Sequence, residues 1–187
     1  MFEKFTAGAR AVVRGAVEQA ERAGSGTVGE PELLLALLDR TDTPAAAVLR
    51  ALGVHERRAS VAEALATVRR RGGVSTADAA ALAGLGIDVD AIVARVERQH
   101  GVGALAADGR GGRRKRLRRP FSAEAKSVLE RALRIAVGRK ERYLGDEHLL
   151  MALAAGRGPA SAVLADHGVT HGAVVRVLEE SRERRAG

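Results

Sequence analysis

The sequence predicts an all-α fold, and three observations support this prediction. Alanine, valine and leucine supply almost all of the 46% hydrophobic residues, and aromatic residues make up only 2%; alanine and leucine favour helices over strands. No segment shows the sustained alternation of β-branched and polar residues that a half-buried strand requires. A unit of about 65 residues also occurs twice, and such self-similarity indicates a duplicated structural module.

The duplicated unit is defined by three landmarks that occur in the same order in both copies. Each copy has a Phe-Thr or Phe-Ser pair, then a glycine followed by acidic residues and a Leu-Leu pair, and then a Pro-x-x-Ala-Val-Leu-x-x-x-Gly-Val segment. The landmarks occupy 5–6, 28–37 and 44–54 in the first copy, and 121–122, 144–153 and 159–169 in the second.

Four helices are expected in the first copy. Thr6 is a suitable N-cap, and the apolar positions after it recur at the spacing of one helix face. Pro31 and Pro44 each fit the first turn of a helix, where a missing N–H costs nothing. Gly53 is a typical helix end. The expected helices begin at residues 6, 30, 44 and about 56. The first is expected to end at about 23, the third at 53 and the fourth at 70.

The second copy predicts the same order of helices. Ser122 caps a helix that runs to about residue 140, further helices follow Gly145 and Pro159, and Gly168 ends the third. A last amphipathic helix precedes the charged C-terminal tail.

A partial third copy of the sequence pattern lies between the two repeats. The segment 82–87 repeats the Leu-x-x-Leu-Gly pattern of 49–53, and Asp88 is positioned to cap a further helix. The apolar face of that helix is expected to consist of Ile92, Val93 and Val96. The predicted parts of the chain are therefore a first repeat (1–71), an inserted helical half-repeat (72–100), a Gly- and Arg-rich basic linker (101–120) and a second repeat (121–187).

Most of the net charge of +8 lies in the linker. Residues 110–119 carry seven basic side chains, so the rest of the chain is close to neutral. Each of them would add to a salt-dependent attraction for phosphates, but no aromatic residue interleaves the run to stack on bases. Binding of polyanions or nucleic acid is therefore the alternative function. Its candidate residues are Arg113, Arg114, Lys115, Arg116, Arg118 and Arg119.

Several kinds of chemistry are excluded by what the sequence lacks. There is no cysteine, so disulfides and thiolate chemistry are excluded. No segment approaches the roughly 20 apolar residues of a membrane span, and charged residues interrupt any signal-peptide core, so we expect a cytoplasmic protein. None of the lysines follows a glycine as in a P-loop, and neither a nucleophile elbow nor a His-Glu-x-x-His helix is present. We therefore expect no enzymatic activity, cofactor or metal.

Two pairs of polar residues are best interpreted as structural. His167 and His171 have the spacing of metal ligands on one helix face. Gly168 lies between them and ends a helix, so an interaction of histidine with the helix dipole is favoured instead. Asp146 and Glu147 stand at a predicted helix start, where negative charge is favourable.

The landmarks together resemble a known family. Phe-Glu-Lys-Phe-Thr at 2–6, Tyr-Leu-Gly-Asp-Glu-His-Leu-Leu at 143–150 and Ala-Val-Leu at 162–164 are similar to segments of the Clp N-terminal repeat domain. That domain is the substrate- and adaptor-docking module of Clp-type AAA+ unfoldases, which feed the ClpP peptidase. The resemblance covers both copies, and it implies two four-helix repeats packed as a pseudo-twofold pair.

The resemblance implies binding rather than catalysis. In the family, the repeat starts and a Gly-Thr-Glu-His segment help to form sites for adaptors, peptides and, in some members, phosphorylated arginine. A hydroxyl and helix-start amides can receive a phosphate, while a carboxylate holds the guanidinium. Pro31 stands where the family glutamate would fall in the first copy, so we expect a phosphoarginine-like site in the second. The implied peptide- or adaptor-binding residues are Phe2, Phe5, Thr6, Glu30, Glu32, Phe121, Ser122, Lys126, Glu147 and His148.

Two features depart from the family pattern. The sequence carries no AAA+ motor, and the two copies are separated by a longer stretch than is usual in the family. We expect either a loosened pair of repeats or a half-repeat that fills a groove between them. Phe5 and Phe121 fit an apolar docking patch and, equally well, a stapling role inside each copy. The leading hypothesis is a stand-alone accessory factor that binds substrates, adaptors or Clp components for ATP-dependent proteolysis.

Overall fold

The computed structural model describes residues 4–106 and 119–186. These residues form ten helices and no strand, which confirms the predicted all-α class. The helices are α1 (Ala7–Arg22), α2 (Glu30–Leu38), α3 (Pro44–Ala51), α4 (Arg58–Arg70), α5 (Thr76–Gly84), α6 (Val89–His100), α7 (Ala123–Gly138), α8 (Asp146–Ala154), α9 (Pro159–Asp166) and α10 (His171–Ala186).

The three capping residues predicted from the sequence, Thr6, Asp88 and Ser122, each begin a helix. The side-chain oxygens of Thr6 and Ser122 each accept a hydrogen bond from the backbone N–H three residues later, at 3.1 and 3.2 Å. Thr43 and Asp88 cap α3 and α6 in the same way. A cap of this kind stabilises a helix by about 1 kcal/mol. Helices α2 and α8 instead begin after glycines, so their first turns need an acceptor from elsewhere.

The core is centred on α2 and α8, which are apolar on almost every side. Helix α2 contacts α1, α3 and α4 of its own repeat and α7, α8 and α9 of the other. A helix that is apolar all round requires neighbours all round. Full burial of each leucine stabilises the fold by about 1.5–3 kcal/mol. The fully buried leucines of these two helices are Leu33, Leu34, Leu37, Leu149, Leu150 and Leu153.

Two short backbone bridges join each repeat to the other. Phe5 pairs with Leu144, and Val28 pairs with Phe121, each in a parallel arrangement. The hydrogen bonds of these bridges are 2.8 to 2.9 Å long. Exchanging the two repeats converts one bridge into the other, which is the pseudo-twofold relation. The repeats therefore pack directly on each other, and the expectation of a loosened pair is wrong.

The inserted helices lie beside the C-terminal end of α4. Helix α5, all of which is described, buries none of its residues, and α6 buries Val93. Ile92 is 50% exposed, so the predicted apolar face is wrong for this residue. The reason is that ion pairs to the end of α4 hold α6 in place, rather than a broad apolar face. Gly72, Gly73, Leu105 and Ala106 line a cavity between the repeats, whereas no residue of α5 or α6, both fully described, does, so the inserted helices do not fill this groove.

Candidate binding site at the seam between the repeats

The backbone bridges bring the start of each repeat beside a helix start of the other. Because Phe5 pairs with Leu144, the N-terminus of α1 lies beside that of α8. Because Phe121 pairs with Val28, the N-terminus of α7 lies beside that of α2. Helix N-termini carry unpaired N–H groups and a partial positive charge. The surface where these starts meet, here called the seam, is therefore polar and suited to binding.

This crossing corrects the predicted grouping of site residues. The sequence places Ser122, Lys126 and Glu147 in one site within the second copy. In the structure Ser122 shares a cavity with Glu30 and Glu32 of the first repeat, whereas the segment that carries Glu147 lies beside the start of α1. Lys126 is exposed on α7 and is not part of the cavity lining. Sequence order groups residues by copy, but the bridges pair them across copies.

A cavity of about 360 Å³ opens at the seam where α2 and α7 begin. Ser122 and Glu124 reach it from the second repeat, and Glu30 and Glu32 reach it from the first. The rest of its lining includes Leu65, Arg69, Gly72, Gly73, Leu105 and Ala106. The cavity is therefore acidic at the helix starts, and these other lining residues are largely apolar apart from Arg69.

Glu32 completes the start of α2. Its Oε2 accepts a hydrogen bond from the Gly29 N–H at 2.8 Å, which supplies the acceptor that a glycine N-cap lacks. Its Oε1 lies 3.6 Å from Nη1 of Arg69, and Nη2 of Arg69 donates to Ser25 Oγ at 2.6 Å. Glu32 is thus buried, fixed in position and balanced by one guanidinium.

Glu30 reaches across the seam to the start of α9. That helix begins after Gly158, and the backbone N–H of Ala160 lies close enough to the Glu30 carboxylate to favour its charged form. A Cβ atom at Gly158 would overlap this carboxylate. Burial raises the pKa of Glu30 above its ordinary value, although Ala160 and Arg131 favour the charged form. Its buried Oε2 has no hydrogen-bond partner in the described part of the chain, and such an unpaired buried acceptor points to a functional role.

The related surface at the start of α8 is more closed. Asp146 aligns with Glu30 in the repeat and is only 1% exposed. Its Oδ1 lies 3.3 Å from where a Cβ on Gly8 of α1 would stand. Burial, reinforced by the neighbouring Asp146 carboxylate, raises the pKa of Glu147 to about 7. Asp146 is therefore packed against α1, and the Glu147 carboxylate lies against Gly145 and His148 at the start of its own helix.

His148 has at α8 the role that Glu32 has at α2. Its Nδ1 accepts a hydrogen bond from the Gly145 N–H at 3.0 Å, and the ring is fully buried. An accepting Nδ1 assigns the ring proton of the neutral imidazole to Nε2, which lies 3.3 Å from Glu141 Oε2. Burial lowers the pKa of His148, although Glu141 opposes this shift. The neutral ring is the form that this geometry requires.

Glu141, Glu147 and His148 have donor atoms within 4.8 Å of one another, a spacing that a metal ion could use. Nδ1 of His148 already accepts a hydrogen bond from the backbone, and Nε2 faces Glu141 Oε2 at 3.3 Å. Glu141 also accepts hydrogen bonds from Arg139 and Arg182. These guanidinium groups stand where a cation would balance the charge, so we interpret the cluster as structural.

The two histidines spaced four residues apart have separate environments. His167 is the C-cap of α9, with its Nδ1 2.8 Å from Val163 O and its Nε2 3.2 Å from Ser60 Oγ. His171 begins α10. The interpretation of His167 as a helix-end residue is therefore confirmed.

The remaining predicted residues divide into described and undescribed ones. Phe5 is 8% exposed and belongs to the core. The half-buried Phe121 packs against this core, which supports a stapling role for both residues over a role in a docking patch. The hydroxyl of Thr6 caps α1. Arg119 is described and partly buried. The predicted residues that lie outside the described ranges are Phe2, Arg113, Arg114, Lys115, Arg116 and Arg118.

Sequence reasoning missed three residues of the seam, namely Arg69, Glu124 and Asp146. The alignment of the repeats pairs Asp146 with Glu30, and that pairing was the available signal for its buried position. Glu124 follows the predicted cap Ser122 by two residues and could have been assigned to the same helix start. Arg69 enters the cavity only through tertiary packing of α4, for which the sequence holds no local signal.

Within residues 4–106 and 119–186, none of the helices has the length and apolarity to cross a membrane. The fold and the seam define the class of this protein as a duplicated all-helical domain with a polar surface between its repeats. Residues 4–81 and 120–186 match the model of the Clp repeat (R) N-terminal domain. The chain belongs to this family, and the unmatched stretch between the two segments contains α6 and the basic linker.

Comparison with known proteins agrees with this assignment. The chain is 31% identical over 188 residues to the chloroplastic ATP-binding subunit of the ATP-dependent Clp protease, ClpA homolog CD4B, of Solanum lycopersicum. The alignment covers 98% of this chain but 16% of that protein. The N-terminal domain of the chaperone ClpD from Arabidopsis thaliana has a TM-score of 0.54 at 19% identity, with 98% of this chain and 97% of that one covered.

The N-terminal domain of Hsp104 from Candida albicans has a TM-score of 0.56 at 16% identity, with 96% of this chain and 92% of that one covered. At such identities these two structures show a shared fold. This chain therefore has the architecture of the N-terminal domains of Clp-type chaperones.

Proposed function

We propose that this chain is a non-enzymatic docking module that binds polypeptides at the seam cavity. It would act as an accessory factor in ATP-dependent Clp proteolysis, with ATP hydrolysis and peptide cleavage supplied by partner proteins. The observation that carries the proposal is the Glu30 carboxylate, which lines the cavity while its buried Oε2 is unpartnered. A few polar groups of this kind within a partly apolar cavity are typical of binding sites.

The charge of the cavity favours a guanidinium group as the ligand. Glu30, Glu32 and Glu124 supply three carboxylates, and among the described lining residues one guanidinium, that of Arg69, opposes them. Arginine presents five N–H donors in one plane, a geometry that matches carboxylate oxygens. An arginine side chain of an incoming polypeptide would therefore place its guanidinium at the Glu30 carboxylate.

Phosphorylated arginine is the second ligand to consider at this cavity. The Ser122 hydroxyl and the first N–H groups of α7 supply donors for a phosphate. Glu124 lies in the same turn of α7, and the backbone and Ser122 keep its pKa below the ordinary value. Its negative charge opposes a phosphate, so we expect unmodified arginine to bind more tightly.

Calorimetric titration of short peptides tests both parts of this proposal. An arginine peptide should bind the wild type, and replacing its arginine with uncharged citrulline should abolish binding. Glu30→Gln, which keeps the shape of the side chain, should weaken binding by about tenfold or more because a charge-assisted hydrogen bond becomes neutral. Glu18→Gln is the matched control, since Glu18 is exposed on α1. Equal affinity of the wild type and Glu30→Gln would contradict the proposal.

The partner is tested by affinity purification of the tagged chain. Recovery of an unfoldase or of ClpP subunits is expected, and recovery of neither under conditions that retain other adaptors would contradict a role in Clp proteolysis. The partner classes proposed are Clp components, adaptors and substrate polypeptides. A cytoplasmic location stays a prediction from the sequence, and several related proteins are chloroplastic.

Binding of polyanions through residues 110–119 is the alternative function. The observation in its favour is the concentration of seven basic side chains in this run. Deletion of the run should abolish binding to a single-stranded nucleic acid and remove its salt dependence. Binding that survives the deletion unchanged would dismiss this alternative.

A further inference from the structure

The inserted helices present apolar side chains that the described chain leaves uncovered. Leu85 is 78% exposed, Ile92 is 50% exposed and Val102 is 91% exposed. These residues flank or lie on α6, which buries Val93. Concentrated exposure of large apolar side chains is typical of an interaction surface.

Helix α6 is nevertheless held firmly in place. Nε and Nη2 of Arg70 donate to the Glu97 carboxylate at 2.6 to 3.2 Å, and Nε and Nη2 of Arg71 donate to the two oxygens of Asp90 at 2.8 and 2.7 Å. Glu97 also accepts a hydrogen bond from the Gly103 N–H at 2.9 Å. Bidentate pairs fix orientation as well as distance. The outward face of α6 is therefore a defined surface.

That outward face carries a self-complementary pattern of charge. Four exposed residues recur at spacings of four, three and four, which places them on one stripe of the helix. An acidic residue precedes the apolar one by a turn, and a basic residue follows it by a turn. Arg95 has no ion-pair partner among the described residues, and Asp88 uses Oδ1 to cap α6, which leaves Oδ2 for another donor. The stripe consists of Asp88, Ile92, Arg95 and Gln99.

We propose that two copies of this chain associate through an antiparallel pairing of their α6 helices. A twofold axis between Ala91 and Ile92 places Ile92 of each copy against Ala91 of the other. The same axis places Asp88 of each copy opposite Arg95 of the other, so both ion pairs form at once. A parallel pair would instead oppose Arg95 to Arg95, and such like-charge contacts select against that arrangement.

Sedimentation equilibrium of the full chain from micromolar to millimolar concentration tests this pairing. The average mass should rise from 19.6 kDa towards twice that value. Ile92→Lys should hold the chain at the monomer mass, because it places charge in the centre of the contact. Ala94→Lys is the matched control on the same helix, about 200° around the axis from Ile92, and it should associate like the wild type.

The ion pair is tested separately. Arg95→Asp should prevent association by opposing Asp88, whereas Arg95→Lys should preserve it, and circular dichroism should show unchanged helix content in both variants. A wild type that stays monomeric at millimolar concentration would overturn the proposal. So would equal weakening by Ile92→Lys and Ala94→Lys, or full association of Arg95→Asp. None of these results depends on the proposed peptide-binding function.

Discussion

Gly158→Ala is the substitution that most directly tests the contact between the repeats at Glu30. The backbone at Gly158 has a φ of −91°, which any residue adopts, so the substitution adds no backbone strain. A Cβ atom there would overlap the Glu30 carboxylate and must displace it. Displacement would move the carboxylate away from the backbone N–H of Ala160, which favours its charged form. The expected loss of stability arises from the displaced Glu30 carboxylate across the seam, not from α9 itself.

The magnitude follows from two effects. Loss of a favourable contact between a buried N–H and a carboxylate costs about 1–3 kcal/mol, and an added methyl group in a packed region typically costs a further 1–3 kcal/mol or so. We therefore expect Gly158→Ala to lower the free energy of unfolding by about 2–6 kcal/mol. In a Glu30→Ala background the carboxylate is already gone, so the same substitution should cost less than about 1 kcal/mol.

Urea unfolding followed by circular dichroism measures this difference as a double-mutant cycle. The coupling between the two positions should exceed about 1 kcal/mol, as is typical of residues in contact. Gly172→Ala is the control, because a Cβ at Gly172 meets nothing within 4 Å, and it should cause no loss of stability. Equal costs of Gly158→Ala in both backgrounds would refute the contact.

Three further predictions concern the start of α8 and the insertion. The pKa of Glu147 is raised from 4.5 to about 7, so the folded state binds its proton more tightly, and the contribution of Glu147 to stability should fall as pH rises from about 4.5 to about 7. Glu147→Gln should remove this fall in urea unfolding curves, and parallel pH profiles of the two proteins would contradict it. His148→Ala should lower the free energy of unfolding by about 2–4 kcal/mol, because it opens a cavity and leaves the Gly145 N–H unpaired; a Tm equal to that of the wild type would contradict this role. Arg71→Ala should speed amide hydrogen exchange across residues 89–100 without changing exchange in α2, and unchanged exchange in α6 would show that its ion pair with Asp90 does not anchor that helix.

The elements of the fold were predictable because their signals are local. Thr6, Asp88 and Ser122 cap helices where the sequence predicts them, since a cap depends on its own residue and the next three positions. Helices apolar on all sides could likewise be expected at the centre. The partial failure at α6 has a physical cause, because ion pairs with α4 fix its rotation and leave Ile92 outward.

The seam was less predictable because its residues meet only through tertiary structure. Sequence order assigns Ser122 and Glu147 to the same copy, but the bridge between Val28 and Phe121 places Ser122 in the same cavity as Glu30. Nothing local to α4 indicates that Arg69 points towards Glu32. In a pseudo-twofold pair, a segment can pack within its own repeat or against the other repeat. Local sequence patterns do not distinguish these two arrangements.

The measurement that tests the central claim most directly is an NMR titration of the full chain with a short arginine peptide. We predict that the largest amide shift changes fall at Glu30, Glu32, 122–124, Gly158 and Ala160, which lie around the Glu30 carboxylate in the structure. The same titration of Glu30→Gln should leave these amides almost unchanged. Shift changes confined to α6, or to the start of α8, would contradict the assignment of the seam cavity as the docking site.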